Sequence, residues 1–297
     1  MAKFNQYKVF TTVIEEGSAS TAAQLLNISP SAVSKQIAAL ENHLNVQLFE
    51  RSNRNIKPTE YGLAFYRHCK QILMEVSRAE DSLRETLDAL SGTISLTLSK
   101  SLIRSGIFEY LGEFTANYPE IRFDISLSEK FEDLQENAID FAFRIGQLED
   151  HSRLIAIPLR KVRPIFCATP DYLTKHGHPQ SYTDLHHHNL ALLPANYLSY
   201  QVRQFLKQQQ VNLYSIQHHR VDDIEAGYQM INADMCIGLM LDCTVERQLS
   251  EGSLIEIFPS IRLPEKTLYL MLKKSEFQLQ RCVLFKEFIK GCFRESR

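Results

Sequence analysis

Residues 18–62 read SASTAAQLLNISPSAVSKQIAALENHLNVQLFERSNRNIKPTEYG, and the punctuation resolves into a helix, a turn, a second helix and a basic hairpin. Ser18 and Ser20 offer hydroxyl caps ahead of Ala22, Ala23, Leu25 and Leu26, a short helix. Asn27-Ile28-Ser29-Pro30-Ser31 then joins a turn, a capping serine and a proline at the first helical position, where its missing N–H costs nothing. In the helix that follows, Val33, Ile37, Leu40 and Leu44 share one face, and Ser31, Ser34, Lys35 and Ala38 share the other. That outer face is short-chained, polar and once basic, as a helix entering a DNA major groove needs to be. Ser29 is read as the cap, and Ser31, Ser34 and Lys35 as the readers. Residues 46–58 read as strand, Asn-rich tip and strand, a wing on which Arg51 and Arg54 reach the minor groove or hold phosphates.

Upstream, Phe4, Tyr7, Phe10, Val13 and Ile14 recur at helical spacing and stop at Gly17, which suits a helix end. Downstream, residues 59–90 read as one long helix with a seam of Tyr66, Cys69, Leu73, Val76, Leu83, Leu87 and Leu90, interrupted at Glu80. Such a seam has to be buried against another helix, and a twofold copy of the chain is the usual solution. Packing against the chain's own C-terminal region is the competing reading.

After Ser91-Gly92 the pattern changes to alternation, at residues 94–98, 121–127 and 141–145, with helical stretches around 102–117 and 131–137 between them. Strands separated by helices imply a parallel α/β sheet with ligands beyond the carboxyl ends of its strands. Further strands are expected at 154–160, 163–168, 190–193, 235–240, 254–258 and 267–272, and a last helix near 276–290.

At 297 residues the chain is long enough for two or three domains. Its 44% hydrophobic and 23% charged content is that of ordinary globular proteins. No apolar run suits a signal peptide or a membrane span, which points to a cytoplasmic chain with no membrane partner. The net charge of −2 argues against indiscriminate nucleic-acid binding, but residues 1–58 carry six cations against four carboxylates. The six cysteines form no CxxC pair, so neither a disulfide framework nor a zinc finger is suggested. No nucleophile elbow, P-loop or metal-binding helix is present, so an enzyme is not expected.

The quoted stretch resembles the LysR-type transcriptional regulators. The resemblance lies in the alanine pair Ala22-Ala23, Ser34 in the recognition helix, Leu40-Glu41 near its end, Leu48-Phe49-Glu50-Arg51 and the closing Thr59-Glu60-Tyr61-Gly62. It continues in Asp140-Phe141-Ala142-Phe143-Arg144-Ile145-Gly146, Thr169-Pro170-Asp171-Tyr172-Leu173, and Asp184-Leu185 with His188. Asn45 stands where the family usually has glycine, and asparagine also accepts a left-handed cap. The loop 232–238 lacks its usual first glycine, so backbone contacts to a ligand are not carried over to it.

The resemblance implies a winged helix-turn-helix at 1–58, a dimerisation helix at 59–91 and an effector-binding domain at 92–297. That domain would resemble type II periplasmic binding proteins, with subdomain I at 92–161 and 266–297 and subdomain II at 162–265. It implies as partners double-stranded DNA with an interrupted dyad, a small-molecule effector, a dimer or tetramer of the chain, and the transcription machinery.

Ser99-Lys100-Ser101 follows the first strand and opens a helix, so hydroxyls and helix N–H groups there would hold an anionic effector such as a carboxylate. Ser128 after the second strand, and Phe143 or Arg144 on the third, are expected to face the same cleft; a solvated or structurally paired Arg144 is the plainer alternative. The run His186-His187-His188, with His176 and His178, lacks the spacing of a metal site, so neither metal nor cofactor is expected. Two other readings stand beside the regulator: a solute-binding protein whose first helices serve only assembly, and a redox-responsive regulator using Cys236 and Cys243.

Overall fold

The computed structural model describes residues 2–50, 56–84, 90–128, 139–146, 154–194, 198–274 and 279–295. The chain forms two compact units, one built chiefly on Met1–Gly92, the other on Thr93–Lys130 and Asp140–Arg297.

In the first unit α1 (Ala2–Glu16) ends at Gly17, whose φ of +61° a residue with a Cβ rarely adopts. α2 (Ala19–Leu25) is capped by Ser18, which accepts from Thr21 N. α3 (Pro30–Leu44) is capped by Ser29 and closed by Asn45 at φ +52°, the left-handed conformation expected of it. Ala22 and Ala23 are buried with Val9, Val13 and Val33, and their small side chains let α2 settle close to α1 and α3.

α4 (Glu60–Arg84) is shorter in the described residues than the expected 59–90, with Leu87 outside them. Its first turns belong to the reader. Cys69 is fully buried with Phe10, Leu40 and Leu48, and Tyr66 packs on the same cluster while donating to Glu15 Oε1 at 2.8 Å. The seam therefore divides: Tyr66 and Cys69 join the reader's own core, Leu73 is half-buried and Val76 is exposed, with Ile72, which lies off the seam, exposed beside them.

The second unit holds two five-stranded sheets in the described residues. The first, ordered β2-β1-β3-β10-β4, combines β1 (Gly92–Leu98), β2 (Ile121–Leu127), β3 (Phe141–Ile145), β4 (Leu154–Val162) and β10 (Lys266–Lys273). The second, ordered β7-β6-β8-β5-β9, combines β5 (Pro164–Ala168), β6 (Leu190–Leu192), β7 (His218–Arg220), β8 (Ile237–Leu241) and β9 (Ile255–Ile257). Helices α5 (Ile107–Asn117) and α10 (Gln280–Glu295) accompany the first lobe. α6 (Pro170–His176), α7 (Tyr200–Gln208), α8 (Ile224–Asn232) and α9 (Asp242–Glu251) accompany the second.

The sheets are mixed rather than parallel throughout. β1 and β3 are parallel, as are β6 with β7 and with β8, but β10 runs antiparallel to β3 and β4, and β5 antiparallel to β8 and β9. β5 and β10 are the strands on which the chain arrives from the other lobe. One residue, Arg163, separates β4 from β5, so the crossing strand keeps its heading. The first crossing is pinned on the second lobe, where Arg163 N donates to Asp242 Oδ1, Asp242 N donates to Arg163 O, and the guanidinium grips both oxygens of Glu256. Phe258, buried beside Tyr182 at the start of the second crossing, takes φ +63°, a conformation that costs a bulky residue energy.

The expected stretch 102–117 divides into a single 3₁₀ turn, Lys100–Leu102, and α5, with Gly106 at φ +82° between them. The last helix starts at Gln280 and runs to Glu295, later than expected.

Candidate DNA-reading and effector sites

The reader's outer face is built on a rigid base. Ser29 Oγ accepts from Ala32 N at 3.1 Å and meets Ser31 Oγ at 2.9 Å, so the cap also orients the first candidate reader. Ser34 Oγ donates to Pro30 O at 3.1 Å, which leaves its lone pairs outward as acceptors for a base-edge donor. Ser31, Ser34, Lys35 and Ala38 are all exposed, while Val33 and Leu40 on the opposite face are fully buried. Short side chains on the exposed face let the helix axis approach bases closely. The wing's arms pair, with Phe49 opposite Pro58 and Glu50 N donating to Lys57 O at 2.8 Å. Arg51 and Arg54 at its tip lie outside the described residues.

Two further residues of this region were not singled out as functional from sequence. Glu41 Oε1 accepts from both Leu48 N at 2.7 Å and Phe49 N at 3.2 Å, tying the end of α3 to the root of the wing. Thr59 Oγ1 accepts from Gly62 N at 3.0 Å and donates to Gln47 O at 2.8 Å, capping α4 against the segment that leads into the wing. A Cβ on Gly62 would lie 2.1 Å from Leu48 O, so only glycine permits that approach. Leu40-Glu41 and Thr59-x-x-Gly62 are thus the joints that hold recognition helix, wing and long helix in one frame.

In the second unit the structure brings Ser99 and Ser101 together, with their hydroxyls 2.8 Å apart at the carboxyl end of β1. Ser99 N donates to Phe143 O and Ser128 N to Leu98 O, which gathers the ends of β1, β2 and β3. Two expectations change here, and for Arg144 the structurally paired alternative holds. The helix opened at Ser99 is a single 3₁₀ turn, and its dipole is too short to hold an anion. Phe143 is fully buried and shares a strand face with Phe141, whose ring packs on Phe285, so it belongs to the core and forms no cleft wall. Arg144 is also buried, and its guanidinium donates to Thr97 Oγ1 and to Phe143 O, a structural engagement within the sheet.

Lys100 does face the other lobe, with Nζ 3.6 Å from Asp223 Oδ2. Beside it Arg104 lies 3.6 Å from Glu225 and stacks over the Tyr228 ring at 3.5 Å from its centroid. Asp223, Glu225 and Tyr228, which belong to α8 and its cap, had no sequence signal beyond an aspartate ahead of a helix.

His186 and His187 are exposed, whereas His188 is buried near Tyr172, and among the described residues no group of metal-ligating side chains is drawn together. Burial first, and then neighbouring His176, holds the His188 imidazole below the ordinary histidine value. Burial pushes the Cys236 thiol up to about 11 and the Cys243 thiol up to about 12, which disfavours the thiolate at both.

The family model of the bacterial regulatory helix-turn-helix protein, lysR family, matches residues 4–63. That of the LysR substrate binding domain matches residues 88–293. The chain belongs to the LysR family. It is a DNA-binding transcriptional regulator with a substrate-binding domain, in a family of regulators rather than enzymes.

An uncharacterised HTH-type transcriptional regulator of Haemophilus influenzae is 31% identical over 265 residues, 88% of this chain and 91% of the relative. The solved LysR-type regulator CrgA of Neisseria meningitidis is 28% identical, with 97% of this chain and 98% of that chain covered and a TM-score of 0.60. The full-length virulence activator AphB of Vibrio cholerae is 25% identical, with the same coverage and a TM-score of 0.61. No helix among the described residues is long and apolar enough to cross a membrane.

Proposed function

We propose that this LysR-family regulator reads an interrupted dyad in double-stranded DNA through Ser31, Ser34 and Lys35, with Arg51 and Arg54 of each wing on the backbone or in the minor groove. The observation that carries the reading is the exposed, short-chained face of α3 on a base fixed by Ser29, Glu41 and Thr59. A single reader is only slightly basic, so specific affinity comes from two readers spaced by a helical turn or a multiple of one, paired through α4. The chain then works as a dimer, or a dimer of dimers, in the cytoplasm.

The domain from residue 92 onward supplies control. A small organic anion seated between the lobes, near Ser99, Lys100, Ser101 and Ser128, shifts their closure and with it the placement of the readers. Lys100 and the paired serine hydroxyls support an anion there.

Gel shifts on the DNA upstream of the chain's own reading frame, run over a salt series, test the reader. Specific binding with a steep salt slope is expected, weakened severely by Ser34→Ala with Arg51→Ala; no shift even at low salt overturns the regulator in favour of a solute-binding protein. Mass spectrometry of ligand co-purified with the full chain tests the effector, with a carboxylate expected and an uncharged or cationic compound excluding the anion.

A further inference from the structure

The two lobes of the second unit meet through charged side chains whose positions are set independently on each side. On the first lobe the segment after β1 is anchored by Leu102, which is fully buried, and by Ser105, whose hydroxyl donates to Leu102 O at 2.6 Å. This segment presents Lys100 and Arg104. On the second lobe α8 is seated by Gly238, where a Cβ would fall 2.1 Å from Ile231 Cδ1, and by Tyr228 and Ile231 in the lobe's core.

Asp223 has two tasks at the start of that helix. Its Oδ1 accepts from Glu225 N at 2.9 Å as the N-cap, and the cap holds Oδ2 out towards Lys100, 3.6 Å away. Glu225 is braced by Gln229, whose Nε2 donates to Oε1 at 2.9 Å, and the same oxygen faces Arg104 Nη1 at 3.6 Å. The Arg104 guanidinium lies 3.5 Å over the centre of the Tyr228 ring, and its Nε is buried without a hydrogen-bond partner. An arginine so held is kept by the ring face and the carboxylate, at the expense of one N–H.

We infer that Lys100 and Arg104, with Asp223, Glu225 and Tyr228, form a clasp that holds the two lobes shut over the Ser99–Ser101 segment when no effector is bound. The clasp is charge-neutral, two cations against two carboxylates. It is also partly exposed, the pairs ranging from 26% to 43% in side-chain accessibility, so each contact is weak and open to screening by salt. Weak contacts suit a device that a small ligand has to release, because a ligand shifts the equilibrium only by its differential affinity for the two states. An anion entering the cleft competes with Asp223 for Lys100.

Hydrogen–deuterium exchange on the full-length protein, with no effector added, reads the clasp directly. In wild type the amides of residues 101–105 and 225–228 are expected to exchange about three- to tenfold faster at about 0.5 M than at about 0.05 M NaCl, the factor that contacts of this exposure supply. Lys100→Glu and Arg104→Gln are expected to show the fast exchange already at low salt and to lose the salt dependence. Exchange at these amides that neither salt nor either variant changes overturns the clasp. A rise spread equally over β3, β8 and α10 overturns it too, since that means looser lobes rather than an open cleft. The measurement contains no effector, so its failure is distinct from that of the anion reading, which the co-purified ligand decides.

Discussion

Glu41 and Gly62 show how single residues fix the geometry of the reader. Truncating Glu41 to alanine strands Leu48 N and Phe49 N, and each unpaired buried donor costs about 1–3 kcal/mol. Urea unfolding of Glu41→Ala should show a loss of that size, with DNA affinity falling further because the wing loses its root; unchanged stability would remove Glu41 from this role. Gly62→Ala forces a methyl group onto Leu48 O and should cost about 1–3 kcal/mol, visible as a lowered Tm. His188 gives a pH signature. Its folded value is depressed, so the folded state binds fewer protons than the unfolded one, and stability rises with pH across that window. Unfolding free energy should therefore fall as pH drops below ~6.5, the ordinary histidine value, and His188→Phe should flatten that slope. Sequence reading reached the caps at Ser29 and Asn45, whose causes are local. It did not reach Glu41's bonds to the wing or Arg144's engagement with Thr97, which exist only once distant strands are brought together.

Among the elements, α4 marks where periodicity stops being informative. A heptad seam states that a stripe must be buried and is silent on the partner, and here Tyr66 and Cys69 turn to α1 and α3 while Val76 stays exposed, as does Ile72 beside the seam. Ile72→Glu with Val76→Glu should therefore split the proposed dimer in sedimentation velocity and leave the reader folded by circular dichroism; a dimer that persists would move the interface elsewhere. Strands β1, β2, β3 and β10 were legible because runs rich in β-branched and aromatic residues are a local signal, although β1 and β3 turn out to be buried along almost their whole length rather than on one face. β7 is only three residues, His218–Arg220, at a sheet edge with no alternation, and α7, α8 and α9 are only nine or ten residues each, so the helical period repeats too few times in any of them to stand out. The expectation of a parallel sheet failed for β5 and β10, because strand direction follows the path between lobes and leaves no mark in composition.

At the scale of the molecule, the first crossing rests on Arg163 and Glu256. Arg163→Ala should cost about 2 kcal/mol, the worth of hydrogen bonds to charged groups, and should lower the unfolding midpoint of the second unit while leaving the reader's intact. The placement of β10 also sets an order in time. The first lobe is laid down as far as Val162, yet the strand that belongs between β3 and β4 begins only at Lys266. At ribosomal speed about a hundred residues take ~5–20 s to appear, during which the flanks of β3 and β4 that β10 will cover stay unpaired. The reader is complete long before, and the second lobe closes while the first still waits. The nascent chain thus carries an open sheet edge through much of its synthesis, and a chain cut short between residues 162 and 266 keeps it for good. Truncated products should accordingly retain a folded reader and aggregate through the unfinished lobe.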